Sequence, residues 1–239
     1  MRLSILQHNF QTVLQVGSDQ NLLQRYLKSH KKTELFIQEG FSLNFDEEAL
    51  PFAANSSDLI LHLLNLNAVN DVPGVLAQTL QCLKPDGLLL AAFIGENSFY
   101  ELRTILEEVE LEYYQGISQR ISPWIRTRDA GSLLQRAGFA LPVADCDRLE
   151  IFYPTLKMLW QDLKQAKATS FLMNREAPPL TRSMLSKIES LYKERFWDHA
   201  QQGFKVSLDI VYMTGWRPAP HHQKALSPGS AKHRLEDFL

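Results

Sequence analysis

The sequence predicts an α/β fold with a mostly parallel sheet, because two apolar runs flank a helical pattern. Residues 58–64 and 88–93 are apolar without regular alternation, as expected of central strands that helices cover on both faces. Between them, apolar residues recur at the spacing of one helix face, at Val72, Leu76, Leu80 and Leu83. The order strand, helix, strand is typical of a parallel βαβ unit.

The residues at the ends of these elements have the chemistry of caps and turns. Asp71 is suited to cap the helix, Pro85 to stop it, and Gly87 to occupy the tight turn before the second strand. Ser98 and Glu101 form the pattern of a capping box, which predicts the start of the next helix. If Gly87 has a positive φ, we expect Gly87→Val to lower the melting temperature in a thermal unfolding experiment.

Helical and strand patterns keep alternating through the second half of the chain. Gly138 is suited to the left-handed conformation that ends a helix. Thr127 or Asp129 is suited to cap the helix that ends at Gly138, a second helix is predicted to begin at Pro154, and a third to span 182–199. The predicted strands span 149–153 and 206–212. Prolines and a glycine in the last residues predict a mobile tail over 217–239, so a single domain is predicted over 1–216.

The charge and cysteine content exclude several classes of partner. Twenty-five basic and 27 acidic residues leave a net charge of −2, so the chain lacks the basic footprint of a nucleic-acid-binding protein. Two cysteines are too few for a disulfide framework, which favours a reducing compartment. No apolar stretch approaches the ~20 residues of a membrane span, and the first residues do not resemble a signal peptide. These observations predict a cytoplasmic protein with no membrane span.

The histidines give no sign of a metal site or a catalytic base. His221 and His222 lie in the proline-rich tail with no cysteine or carboxylate at ligand spacing, so no metal is predicted. His62 lies on an apolar strand, where a hydrogen-bonded core histidine is the commoner case. Cys82 falls on the inner side of a helix and is predicted to be a small core residue.

Three segments in the middle of the chain form a recognisable series: DEEALPFA, VND and LKPDGLLLAAFIGENSFYELR. The later segments ISQRISPW, LLQRAGF, YMTGW and PGSA continue it. The first three resemble the second half of a class I S-adenosylmethionine (SAM) methyltransferase domain. The whole series, over roughly residues 13 to 231, resembles the branch that contains malonyl-carrier-protein O-methyltransferases and a mitochondrial complex I assembly factor that hydroxylates an arginine, and its later segments favour the assembly factor.

The resemblance implies a Rossmann-like class I methyltransferase three-layer sandwich, with an antiparallel last strand and a shortened N-terminus. It also implies SAM as the cofactor, bound by a strand and a glycine-rich turn. Gly17 matches the first glycine of that turn, and Asp19 and Asn21 stand near the positions of the later glycines. Gln15 stands where an acid is usual. The cofactor loop therefore diverges from the family pattern.

Further cofactor positions carry over from the family residue by residue. Glu39 falls where an acid holds the ribose hydroxyls, and Asp46, beside Glu47, falls where a carboxylate accepts the adenine amino group. The alternative for Asp46 is an acid that closes a turn. Leu66 and Asn67 follow the apolar run 58–64 and are expected to line the site, although an aromatic pair is usual there.

The segment 113–128 mixes aromatic and basic residues next to the expected site. It either holds a protein loop or an acidic acyl substrate, or forms a solvated loop with its aromatic rings packed on the sheet. Arg120 stands where the assembly factor has a histidine, so a role of that histidine does not carry over. The mixed residues are Tyr113, Tyr114, Arg120, Ser122, Trp124, Arg126 and Arg128.

Three functions follow from these patterns. The first is a SAM-dependent methyltransferase that acts on a small acyl or protein substrate mainly by positioning it, and no catalytic residue is identified for it. The second is an assembly-factor-like protein, an arginine hydroxylase or chaperone that acts on a subunit of a respiratory complex. The third is a non-catalytic binding protein with the same fold.

Overall fold

A six-stranded mixed sheet forms the centre of the part of the chain that the computed structural model describes, residues 10–17, 45–121, 124–165, 168–169 and 178–223. The strands are β1 (Val13–Gly17), β2 (Ser57–Leu63), β3 (Leu83–Ile94), β4 (Ala140–Tyr153), β5 (Trp197–Asp198) and β6 (Gly203–Trp216). The helices are α1 (Val72–Cys82), α2 (Tyr100–Tyr114), α3 (Thr127–Ala137), α4 (Leu156–Gln165) and α5 (Arg182–Phe196), with a 3-10 helix (Leu66–Ala68) before α1. Within the described ranges, no helix has both the length and the apolar character needed to cross a bilayer.

The described strands, apart from β6, point in the same direction. β1 pairs with β2, and β2 with β3, in parallel. β6 lies antiparallel between β3 and β4, and the short β5 is also antiparallel to β6. The order β1-β2-β3-β6-β4 confirms the predicted mostly parallel sheet with an antiparallel last strand.

Helices pack on both faces of this sheet, which gives the three predicted layers. Phe204 and Val206 of β6 belong to an apolar core shared with α2, α4 and α5. Val211 and Met213 belong to a second core shared with α1 and α3. Because side chains alternate along a strand, these even-numbered and odd-numbered residues lie on opposite faces. The apolar, non-alternating character of β2 and β3 follows from this two-sided burial.

Two of the predicted caps are confirmed, Asp71 at the start of α1 and Gly138 at the end of α3. The cap predicted at Thr127 or Asp129 is wrong, because Arg126 is the N-cap residue of α3 and no side chain caps that helix. The Asp71 carboxylate accepts the N–H of Gly74 at 2.9 Å, and α3 ends at Gly138 with a φ of 92°.

The predicted turn with a positive φ at Gly87 is wrong. Residues 84–87 lie inside β3, where the register of its pairing with β2 shifts. Asp86 has the positive φ, 65°, whereas Gly87 does not. A Cβ on Gly87 would lie 2.7 Å from the Lys84 carbonyl oxygen, so close approach rather than positive φ favours glycine there.

The predicted capping box of Ser98 and Glu101 is also wrong. α2 begins after Phe99, which has a φ of 55°, and no side chain caps the helix. The Ser98 hydroxyl instead bonds the backbone of Asp209, and the Glu101 carboxylate accepts the N–H and the hydroxyl of Ser207. β6 extends beyond the end of β3, so its edge needs partners there. Side chains at the start of α2 supply them.

The residues that follow β6 contact the end of α1 and the first residues of β3. The Arg217 guanidinium donates to the carbonyl oxygens of Gln81 and Leu83, and the Arg217 N–H donates to the Gly87 carbonyl at 2.8 Å. Residues 217–223 are therefore held against the sheet by hydrogen bonds. Residues 224–239 lie outside the described ranges, so the division into a domain and a tail stays a prediction.

Candidate functional site

The carboxyl ends of three parallel strands form the edge of the sheet at which open α/β folds bind ligands. β1 ends there at Gly17, and β2 and β3 end at Leu63 and Ile94. Gly17 has a φ of 114°, and a Cβ on it would overlap the Leu63 carbonyl oxygen and lie 3.3 Å from the Asn65 Cβ. The close approach of β1 to the end of β2 is therefore sufficient to require glycine at this position.

Asp46 closes a short turn with its own side chain. Its Oδ1 accepts the N–H of Glu48 at 3.0 Å, and its carbonyl oxygen accepts the N–H of Ala49 at 2.9 Å. The side chain is exposed. A carboxylate has about four acceptor sites, so closing this turn leaves capacity for a further donor. The structure thus shows the turn-closing alternative for Asp46, and its contact with an adenine stays a prediction.

The acidic turn is fastened to α1 and to the connection that leaves β2. Gln78 of α1 donates to the Glu48 carbonyl at 2.7 Å and accepts the Leu50 N–H at 2.9 Å. The Glu48 carboxylate accepts the Asn70 N–H at 2.5 Å. Because Asn70 lies between the carboxyl end of β2 and α1, the turn with Asp46 lies at the ligand-binding edge of the sheet. Sequence reasoning missed Gln78, since a glutamine on a helix has no distinctive spacing.

The other predicted site residues differ in how much the structure says about them. Glu47 is half-buried, and its Oε2 atom is shielded from solvent. Leu66 is 2% exposed and belongs to the apolar core on the α1 side of the sheet, so it packs inward. Asp19 and Glu39 lie outside the described residues. The cofactor contacts of all four therefore stay predictions.

Asn67 has a structural task at the end of β3. Its amide donates to the Ile94 carbonyl at 3.0 Å, and its Oδ1 accepts the Ile94 N–H at 2.9 Å. These two bonds hold the 3-10 helix after β2 against the last residue of β3. Asn67 occupies part of the position where the family has an aromatic pair. Its contact with the backbone of Ile94 could not be predicted from the sequence.

His62 is a buried, neutral member of a hydrogen-bond network. The Thr79 hydroxyl donates to the Val75 carbonyl at 2.8 Å, so its oxygen accepts the Nε2–H of His62 at 2.9 Å. The Nδ1 of His62 then accepts from the Asn65 amide at 3.1 Å. Burial lowers the pKa of His62 to about 4. The predicted core role is confirmed, because both ring nitrogens are engaged and the ring is fully buried.

Charged groups fix the loop that leaves β3 at the same edge. The buried Asp209 carboxylate accepts two bonds from Arg148, at 2.7 and 3.0 Å, and one from Asn97 at 3.1 Å. The Arg148 guanidinium holds the pKa of Asp209 below its ordinary value. Glu96 pairs with Arg126 at 2.7 Å. The wall of the candidate site next to β6 is therefore anchored at both Glu96 and Asn97.

The aromatic and basic segment packs partly inward. Trp124 is 7% exposed, with the Phe99 ring 5.6 Å away and the Arg103 guanidinium 5.8 Å above it. Arg120 pairs with the buried Glu110 at 2.5 Å. Between α2 and residues 117–121 lies a cavity of about 210 Å³. The packed alternative holds for Trp124, while Tyr113 and Tyr114 are partly exposed.

Comparisons with known proteins agree with this architecture. A family model described as a methyltransferase domain matches residues 2–91. The mitochondrial arginine-hydroxylase NDUFAF5 of Danio rerio is 35% identical over 193 residues, which are 81% of this chain and 60% of that protein. Malonyl-[acyl-carrier protein] O-methyltransferase of Laribacter hongkongensis is 30% identical over 222 residues, which are 91% of this chain and 69% of that enzyme.

A solved structure shares the fold. A Bacillus halodurans protein whose crystal structure is named for a methyltransferase superposes with a TM-score of 0.57, at 14% identity, over 91% of this chain and 96% of that one. Such low identity shows the fold alone. The chain spans about 60% of the length of the NDUFAF5 relative. From its similarity to the Laribacter enzyme, the chain belongs to the methyltransferase-domain family that includes malonyl-[acyl-carrier protein] O-methyltransferases and NDUFAF5 arginine-hydroxylases.

Proposed function

We propose that the chain binds SAM at the carboxyl ends of β1 and β2 and directs methyl transfer to an acyl or protein substrate. One observation carries the proposal: the exposed carboxylate of Asp46 lies at the ligand-binding edge, on a turn that Gln78 holds in place. Its chemistry fits the amino group of an adenine, because a carboxylate accepts hydrogen bonds from N–H donors. Asp46 therefore has the chemistry needed at the adenine end of the cofactor.

Binding and orientation are the work that the residues of this chain do in the proposed reaction. SAM supplies an electrophilic methyl group, and transfer to a positioned nucleophile needs little acid–base help. Asp46 orients the adenine, and the anchored loop at Glu96 and Asn97 forms the adjacent wall. His62 does not act as a base, because it is buried with both nitrogens engaged.

Calorimetric titration with SAM and with its demethylated product tests the proposal. We expect Asp46→Ala to weaken SAM binding by about tenfold or more, since a hydrogen bond to a charged group contributes about 1.5–3 kcal/mol. Asp198→Ala is the matched control, because Asp198 also closes a turn, through the N–H groups of Ala200 and Gln201. The Asp198→Ala variant should bind SAM with the affinity of the wild type. A wild type that binds neither compound at millimolar concentration contradicts the proposal and favours the non-catalytic binding protein.

The similarity to NDUFAF5 supports a second candidate, an arginine hydroxylase or chaperone that acts on a protein subunit of a respiratory complex. Mass spectrometry of proteins captured by the chain separates the two candidates. Methylation adds the mass of one methylene group, whereas hydroxylation adds that of one oxygen atom to an arginine. The NDUFAF5 relative is named as mitochondrial, so a cytoplasmic location for this chain stays a prediction.

A further inference from the structure

Asp86, His221 and His222 meet at the amino end of β3. The Asp86 Oδ1 lies 2.8 Å from the Nε2 of His222 and 3.3 Å from the Nε2 of His221. Asp86 lies in the irregular first part of β3, and the histidines follow β6. Sequence spacing offered no carboxylate to these histidines, but the fold supplies one from a residue 136 positions before His222.

Backbone hydrogen bonds hold the two segments together. The Asp86 N–H donates to the Arg217 carbonyl at 3.2 Å, and the Arg217 N–H donates to the Gly87 carbonyl at 2.8 Å. The His222 N–H donates to the Ala219 carbonyl at 3.0 Å, which closes a turn before the second histidine. The side chain of His222 is only 9% exposed. The donor atoms are therefore brought together by the fold rather than by a metal.

We propose that Asp86, His221 and His222 bind a zinc ion, with water completing the coordination. Imidazole nitrogens and a carboxylate oxygen are ligands that suit zinc. In a tetrahedral zinc site with bonds of about 2.0–2.1 Å, the donor atoms are about 3.3 Å apart. The separation of Asp86 Oδ1 and His221 Nε2 already has this value, 3.3 Å.

Zinc must compete with the hydrogen bonds that His222 makes. The Ala219 N–H donates to the Nδ1 of His222 at 3.2 Å, so the ring proton is on Nε2 and points at Asp86. Coordination through Nε2 moves that proton to Nδ1 and breaks the bond from Ala219. We therefore expect a lower affinity than that of a site whose ligands are already in the coordinating tautomer.

The zinc site and the proposed cofactor site lie at opposite ends of the sheet. Asp86 lies near the amino end of β3, whereas the candidate cofactor site lies at the carboxyl ends of β1, β2 and β3. Zinc would link the residues after β6 to the first residues of β3, so it would stabilise the fold without contacting the proposed cofactor site. Zinc binding should therefore be independent of SAM binding.

Zinc titration of protein without an affinity tag, followed by calorimetry, tests this site. We expect His221→Gln and Asp86→Asn each to weaken binding by at least about tenfold. Asp86→Asn keeps an oxygen that accepts from His222 and suits the positive φ of this position. Thermal unfolding without metal should give the wild-type midpoint for both variants. Added zinc should raise the midpoint of the wild type by more than that of either variant.

Cobalt absorption provides a second readout, because tetrahedral coordination gives an intense visible band. His199→Gln is the matched control, since His199 is also exposed and its side chain lies outside this cluster. It should bind zinc and cobalt like the wild type. Equal affinity in the wild type, His221→Gln and Asp86→Asn, or no binding by the wild type, would overturn the proposal.

Discussion

Gly17→Ala is expected to lower the free energy of unfolding by about 4 kcal/mol, because the alanine methyl group has no room. Gly17 has a φ of 114°, which side-chain-bearing residues rarely adopt, and its Cβ would overlap the Leu63 carbonyl oxygen. The backbone of β2 cannot yield as a flexible side chain does, so β1 must shift away from it. Chemical denaturation of the two proteins measures the difference.

Gly131→Ala is the control for this prediction. A Cβ on Gly131 would lie 4.0 Å from the Ala144 Cβ, in ordinary contact, and the residue lies within α3. Alanine there should leave stability unchanged or raise it by up to about 1 kcal/mol, since glycine is unfavourable inside helices. If Gly17→Ala were as stable as Gly131→Ala, β1 would not approach β2 in solution as described.

Features of the fold that depend on local chemistry could be predicted from the sequence. β2 and β3 were predictable because two-sided burial leaves uninterrupted apolar runs. The Asp71 cap and the Gly138 terminus were predictable because both act locally. Asp71 accepts a backbone N–H three residues further on, and Gly138 adopts the left-handed conformation that ends α3. In these places the type of residue determines the local backbone conformation.

Contacts between distant segments could not be predicted in this way. Ser98 and Glu101 have the spacing of a capping box. Both side chains instead accept hydrogen bonds from backbone N–H groups of β6, in the part of that strand that extends beyond β3. Likewise, the link between Asp86 and His222 depends on the antiparallel pairing of β3 with β6, which spacing along the chain does not encode. Sequence reasoning finds the residue with the right chemistry, and topology decides its partner.

The same distinction applies to the candidate site. The chemistry of Asp46 was predictable from its motif, and its exposed carboxylate is consistent with that chemistry. Its support was not predictable, because Gln78 reaches the turn from a helix 30 residues further along the chain. The position of Leu66 after β2 predicts a site residue, but a leucine there can equally pack into the core, as it does in the structure.

Acid is expected to destabilise the protein through His62, by about 3 kcal/mol as the pH falls to 4. Burial lowers the pKa of His62 from 6.5 to about 4, so the folded state binds a proton less readily than the unfolded state. The stability from neutral His62 is fully present above pH 6.5. It is lost as the pH falls through 6.5 towards 4, where the unfolded state takes up the proton first.

Urea unfolding of the wild type and of His62→Leu at a series of pH values isolates this effect. Between about pH 7.5 and 5 the wild type should lose about 2 kcal/mol that the variant does not lose. Asp58, Glu110 and Asp209 have lowered pKa values, so their contributions are lost only below their ordinary values of 3.8 to 4.5. His199→Gln should keep the pH dependence of the wild type. An identical slope in His62→Leu would show that the ring is not held neutral by burial between Asn65 and Thr79.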